Sequence, residues 1–384
     1  MSPPGLVSYN DADRCPPSRA AGGQALLRRK KKRPDEPTLV QRLGASSCRR
    51  IAIVGLHPGA GSRTVMQQLA SGARGEGIAI GITQAPRAVP DQAETPPPIE
   101  LPEGVVVATA SSLAQHEQRL ELLEATSCGT AAGPVALYRV TEAGPVSIHG
   151  PDAPESIRET LEHLQRVTGG LALIDGDWQR RDFAAPGVTD GIVLAVGAGY
   201  SRSPEHSAAA IRYMIETLTV AACHGSAQRA WEEAEASSAL VVLDPEGRRL
   251  GSVPPDARDP IRILQSLNGG GIGTVALPDG LQDALLVPLV RSDLRCALVV
   301  RDPTRLLAAP VYLKAWLKGN GRLEVVRSAR LLAVATNPVN PTGADAEPRE
   351  FRRLVSEASD TLPVHDVVLE SSGSKRGRAW KIGS

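Results

Sequence analysis

Ile51-Ala52-Ile53-Val54-Gly55-Leu56-His57-Pro58-Gly59-Ala60-Gly61-Ser62-Arg63-Thr64 is the stretch from which the fold is read. Its first four residues are apolar, three of them β-branched, and glycine ends the run. That is the pattern of a short strand buried on both faces. From about Thr64 to Arg74 the composition turns helical. A strand, a glycine loop and a helix N-terminus together aim backbone N–H groups at one point, where an anion is stabilised. Glycine is needed there because a side chain would hold the anion away and because the loop visits positive φ.

Outward from this loop the chain alternates short apolar runs with helical stretches. Strands are expected at Gly77–Thr83, Gly104–Thr109, Leu171–Asp175, Gly191–Val196, Leu331–Thr336 and Val364–Leu369. Helices are expected at 115–126, 154–167, 203–220, 304–318 and 347–358, with hairpins around 133–146 and 241–247. This is an α/β chain with a mainly parallel sheet and flanking helices. A change of texture after Cys223 divides it into an α/β domain over 50–222 and a C-terminal α/β region over 223–370. Residues 1–49, which carry Arg28-Arg29-Lys30-Lys31-Lys32-Arg33 between prolines, read as a disordered basic leader, and 371–384 as a flexible tail.

Composition narrows the function classes. The 43 basic and 42 acidic residues nearly cancel, which argues against a surface built for nucleic acid. No apolar run reaches the ~18–20 residues that span a bilayer, and no signal-peptide core opens the chain. The five cysteines form no C-x-x-C pair, so a reduced, cytoplasmic protein is expected. Only seven residues are lysine, and none lies between Arg33 and Leu313. A lysine-based Schiff base or phosphate contact within that span is excluded.

The loop therefore departs from the phosphate-loop pattern G-x-x-x-x-G-K-[ST]. Gly55, Gly59 and Gly61 suit the looser spacing G-x-x-x-G-x-G-K-T of dethiobiotin synthetase and its relatives, but Ser62 stands in the lysine slot. Arg63 can supply the cation with Thr64 as the metal-facing hydroxyl, if the loop holds one extra residue. Alternatively the loop is retained without a nucleotide, or is a tight turn of another kind.

Two further strand ends belong with it. Leu171-Ala-Leu-Ile-Asp175 would deliver a carboxylate to Mg²⁺ at the carboxyl edge of the sheet, although an Asp there also caps turns. Asn337, in Thr336-Asn337-Pro338, either makes a turn or presents its amide to a purine edge. Asp190, before the strand at 192–196, is a weaker candidate for the metal, and a turn role is the preferred reading.

Val107-Ala-Thr-Ala110, Leu137-Tyr-Arg-Val140 with Gly150-Pro151, Ile174-Asp-Gly-Asp177 with Thr189-Asp-Gly191 and Ala195-Val-Gly-Ala198, and Thr336-Asn-Pro338 with Gly343 and His365-Asp-Val367 follow one another in this order. In that order the chain resembles a reactivase subunit of adenosylcobalamin-dependent lysine 5,6-aminomutase, over roughly residues 50–370. The resemblance implies a phosphate-loop NTPase-like fold related to dethiobiotin synthetase, with ATP and Mg²⁺ as ligands. Gly55, Gly59, Gly61, Ser62, Arg63, Thr64 and Asn337 would line the nucleotide site and Asp175 would hold the metal. It also implies two partners, a cobalamin-dependent aminomutase and a second reactivase subunit. Two other classes stay open: an ATP-dependent ligase or kinase acting on a small acid, and a non-catalytic scaffold of the same fold.

Overall fold

In the computed structural model, residues 36–373 are described apart from 58, 86–96, 131, 202, 341, 342 and 344. The basic run at 28–33 lies outside the described residues, as do 374–384 of the expected tail. Within the expected leader, however, α1 (Leu39–Ala45) is a helix. Thr38 Oγ1 accepts from Gln41 N and Gln41 Oε1 accepts from Thr38 N, a reciprocal cap. Leu39, Val40 and Leu43 are buried in the core. The reading of a disordered leader is thus corrected for residues 38–45: a capping pair and three apolar residues at helical spacing outweigh the prolines before them.

The large sheet begins with β1 (Arg50–Gly55), which leads through the glycine loop to α2 (Ser62–Gly75) and β2 (Ile80–Gln84). Next come β3 (Ile99–Leu101), β4 (Val106–Ala110), α3 (Ser111–Ala114), β5 (Leu120–Thr130), β6 (Gly133–Val140) and β7 (Gly144–Val146). Then α4 (Pro154–Thr168), β8 (Leu171–Asp177), β9 (Gly191–Gly197) and α5 (Pro204–Leu218) complete the first stretch. A second group runs α6 (Ser226–Ser237), β10 (Leu240–Leu243), β11 (Arg249–Val253), α7 (Pro260–Leu267), β12 (Thr274–Ala276), α8 (Asp283–Arg291), β13 (Ala297–Val300), α9 (Pro310–Lys318) and β14 (Arg322–Val325). The chain closes with β15 (Leu331–Asn337), α10 (Pro348–Ala358), β16 (Val364–Asp366) and α11 (Val367–Gly373).

The strands order as β16-β15-β9-β1-β8-β2-β4-β6-β5 in a mixed sheet. From β16 to β4 the neighbours run parallel, and β6 and β5 add an antiparallel edge. Alternate residues of the parallel strands face opposite layers. Ile51, Ile53, Leu171, Leu173 and Val193 pack under α1 and α2, with Val65, Met66 and Leu69. Ala52, Val54, Ala172, Ile174 and Leu194 pack under α4, α5 and α10, with Leu161, Ile211 and Phe351. The second sheet, β11-β10-β12-β13-β14, has its own core around Leu264, Leu298 and Trp316. The chain beyond 223 is thus shared between two sheets: 240–325 build the second, and β15 and β16 return to the first.

Three local expectations are corrected. Residues 115–126 are not a helix; after the short α3 they enter β5, which pairs antiparallel with β6. Leu120-Glu-Leu-Leu-Glu-Ala is built of good helix formers, and a ready strand partner overrides that preference. Gly144–Val146 makes no hairpin with β6 but pairs with β3. The last strand stops at Asp366, whose Oδ1 accepts from the N–H groups of Val368 and Leu369 and so starts α11. Among the described residues no helix is long and apolar enough to cross a membrane.

Candidate functional site

The carboxyl ends of β1, β8, β2 and β15 surround a cleft of about 280 Å³. Open parallel sheets bind ligands at this edge, where successive connections leave in opposite directions. Gly55, Gly59, Gly61, Ser62, Arg63, Thr64, Asp175 and Asn337 are all brought to this edge; all but Gly55 line the cleft directly. Gln84 and Asp177 line it too. They were not singled out from sequence. Asp177 could have been, since it stands two residues beyond Asp175 on the same strand and must share its face.

The loop itself is shaped by glycine. Gly59 and Gly61 have φ of 82° and 90°, in the left-handed region that other residues enter only at a cost. At Gly61 contact adds to conformation: a Cβ there would stand 2.5 Å from Asn337 Nδ2 and 2.8 Å from Asn337 Cβ. Gly61 is also the N-cap of α2 and brings no side chain to the first-turn N–H groups; that turn holds no acidic residue. A helix N-terminus left in this way carries partial positive charge directed at the cleft.

Asp175, near the carboxyl end of β8, is buried. Ser62 Oγ donates to its Oδ2 at 3.3 Å. The hydroxyl that meets the strand-end carboxylate is therefore that of Ser62, the first residue of α2. Thr64 lines the cleft one half-turn further on. Along β8, Leu171 and Leu173 face α2, so Asp175 and Asp177 project on that same side, toward the loop.

Arg63 is the cationic residue among the described lining of the cleft. With the Gln84 amide oriented so that its nitrogen donates to the Ile148 carbonyl at 3.1 Å, its oxygen accepts from Arg63 Nη2 at 2.9 Å. The guanidinium is thus carried across the mouth of the cleft to the end of β2. Asn337 Oδ1 accepts from Val339 N at 3.3 Å, which is the turn role, while its amide nitrogen lies against Gly61. His57 packs its ring on Tyr200 beside β9, with centroids 5.2 Å apart.

Asp190 lies at the opposite edge of the sheet. It accepts from Arg49 N and Arg50 N, at 3.1 and 2.9 Å, and pairs with the Arg50 guanidinium at 2.7 Å. Burial alone would raise its pKa, but the Arg50 side chain and the two backbone donors outweigh it and hold the carboxyl below its ordinary value. This is a latch on the start of β1.

Among the described residues no group of three or more His, Cys, Asp or Glu side chains could hold a metal ion without help. Mg²⁺ does not need one, because it commonly binds through one or two carboxylates together with substrate phosphates and waters. Comparisons with family models, with curated proteins and with solved structures gave no match.

Proposed function

We propose that the cleft binds a nucleoside triphosphate together with Mg²⁺, in the manner of phosphate-loop NTPases. The observation that carries this reading is the Ser62 Oγ–Asp175 hydrogen bond at the tip of a glycine loop. A hydroxyl on the first turn of the helix, facing a carboxylate on the adjacent strand end, is the pair of oxygens a phosphate-bound Mg²⁺ requires. The residues fit the ligand in three respects: left-handed glycines, an N-terminus without a side-chain cap, and the Ser62–Asp175 pair. They depart in one, since the lysine is replaced by Arg63 held on Gln84. Backbone N–H groups of Gly59, Gly61 and Ser62 would hold the phosphates, that of Ala60 being donated to the His57 carbonyl, with Ser62 and Asp175 on the cation and Arg63 as the outermost charge. The cation neutralises phosphate charge when bound.

From the ordered likeness of residues 50–370 to reactivase subunits, we further propose that the nucleotide is used on behalf of a cobalamin-dependent aminomutase such as lysine 5,6-aminomutase. The protein would then act with a second reactivase subunit to exchange damaged cofactor. Calorimetric titration with ATP in the presence of Mg²⁺ tests the first step. Phosphate release that rises when an inactivated aminomutase is added tests the second; ATP binding without any such stimulation would reject the client assignment. A scaffold that keeps the fold without nucleotide is favoured by one observation, the absence of lysine from 34 through 313. No heat at millimolar ATP would decide for it.

A further inference from the structure

We propose that the outer face of α9, with Leu307 just before it, is a docking surface for an acidic amphipathic helix of a partner protein. Among the described residues six large apolar side chains are exposed, and three of them fall between Leu307 and Leu317. Val311 is 64% exposed, Leu317 51% and Leu307 41%. Single exposed apolar residues are ordinary on a protein surface, whereas several on one short segment mark a place where another molecule sits. The inner face of the helix is already used. Leu313 and Trp316, three residues apart, are buried in the core of the second sheet, and the Trp316 indole N–H donates to the Arg322 carbonyl at 3.1 Å. By the 3.6-residue period Val311, Lys314 and Lys318 then stand together on the opposite side, with Pro310 and Leu317 flanking them. All five are exposed.

This surface is held in shape before anything binds. Leu307 N donates to the Leu281 carbonyl at 2.8 Å, and the Asp283 carboxylate accepts from Ala309 N at 2.7 Å. The segment leading into α9 is thus tied to the start of α8, which leaves less ordering for a partner to impose. Lys314 Nζ lies 5.2 Å from the Tyr213 ring centroid, a cation–π contact that steadies its ammonium group on the helix surface.

Charge selects the occupant. Of the seven lysines only Lys314 and Lys318 lie between Arg33 and Ser374, and both stand on this stripe. The Arg295 guanidinium lies beside Gly319, at the end of the helix. Apolar side chains bordered by ammonium groups suit a helix with an apolar stripe and Asp or Glu along its edges. The chain's own ends do not match, because Arg28–Arg33 and Lys375–Lys381 carry the same sign as the stripe. A second copy across a twofold axis would set the lysines of one chain against those of the other.

The test uses the full chain and a fluorescent synthetic helix of leucine and glutamate with its leucines on one face, followed by anisotropy. A leucine–lysine helix of the same pattern and vesicles of anionic phospholipid are run beside it. The leucine–glutamate helix is expected to bind in the micromolar range, and more weakly as salt rises. Val311→Ser with Leu317→Ser should weaken it at least about tenfold. Lys314→Glu with Lys318→Glu should weaken it about tenfold and transfer binding to the leucine–lysine helix. Melting temperatures should stay at the wild-type value in both double variants, since all four side chains are exposed. No binding of the leucine–glutamate helix at millimolar concentration, or binding that neither pair of substitutions changes, would overturn the proposal. Equal wild-type affinity for the leucine–lysine helix would overturn the acidic partner. Vesicle binding that the same substitutions abolish, without helix binding, would make the face a membrane contact instead. A dimer in sedimentation that Val311→Ser with Leu317→Ser dissociates would assign it to a second copy and also overturn the proposal.

Discussion

Replacing Gly61 by alanine tests how closely the loop and the end of β15 are fitted. The added methyl does two separable things. It forces a non-glycine residue to φ near 90°, which costs about 1–2 kcal/mol for an L residue in the left-handed region. It also meets Asn337 Nδ2 at 2.5 Å, Cβ at 2.8 Å and Cγ at 3.0 Å, so the Asn337 side chain must move. Moving it gives up the bond from Val339 N to Asn337 Oδ1, worth about 1 kcal/mol. The expected destabilisation is about 2–3 kcal/mol in denaturant unfolding, so even this smallest substitution perturbs the fold as well as the proposed anion site. Asn337→Ala alone should cost about 1 kcal/mol, and the double variant should cost roughly 1 kcal/mol less than the sum, because the bond from Val339 N is lost in both single variants and can be lost only once. A loss below about 0.5 kcal/mol for Gly61→Ala, or strict additivity in the double variant, would refute the contact argument.

Arg63→Ala should weaken Mg²⁺–ATP binding about ten- to a hundred-fold by calorimetry, since a charge-assisted phosphate contact contributes roughly 1.5–3 kcal/mol; equal affinity would show that another group supplies the charge. A chain starting at Ser47 should be less stable than one starting at Glu36 by several kcal/mol, because Leu39, Val40 and Leu43 leave the core. Equal melting temperatures for the two would mean that α1 contributes nothing. Asp190 has a folded pKa below its unfolded one, so its contribution to stability is present above the unfolded value near 4 and is lost as pH falls through the folded value. The stability gap between wild type and Asp190→Asn should therefore narrow as pH is lowered from about 5 to 3, in denaturant midpoints across that range, and a constant gap would contradict the latch.

The parts of the site that are contiguous in sequence were legible in it. Ile51 to Thr64 reads as strand, glycine loop and helix because each local preference agrees with the final structure, and the same holds for the apolar strand that delivers Asp175. What pattern reading leaves out is pairing. Nothing local in Leu331–Asn337 tells that this strand crosses back past the second sheet to lie beside β9, and so brings Asn337 against Gly61. Residues 120–126 were misread for the same reason, since the partner strand that makes them extended lies outside any helical window. The hydroxyl opposite Asp175 depended on whether α2 starts at Ser62 or two residues later, a boundary that sequence fixes poorly. Gln84 sits at the end of a short strand, and its amide reaches the cleft only because β2 pairs beside β8. Asp177 was visible in principle, by the two-residue period of a strand.

The most direct test of the proposed nucleotide site is a crystal structure of the full chain grown with a non-hydrolysable ATP analogue and Mn²⁺. The expected result is phosphate density within hydrogen-bonding distance of the N–H groups of Gly59, Gly61 and Ser62, with an anomalous manganese peak next to Ser62 Oγ and Asp175. Nucleotide density elsewhere on the molecule, or a cleft empty of phosphate at saturating analogue, would contradict the assignment of this loop as the nucleotide site.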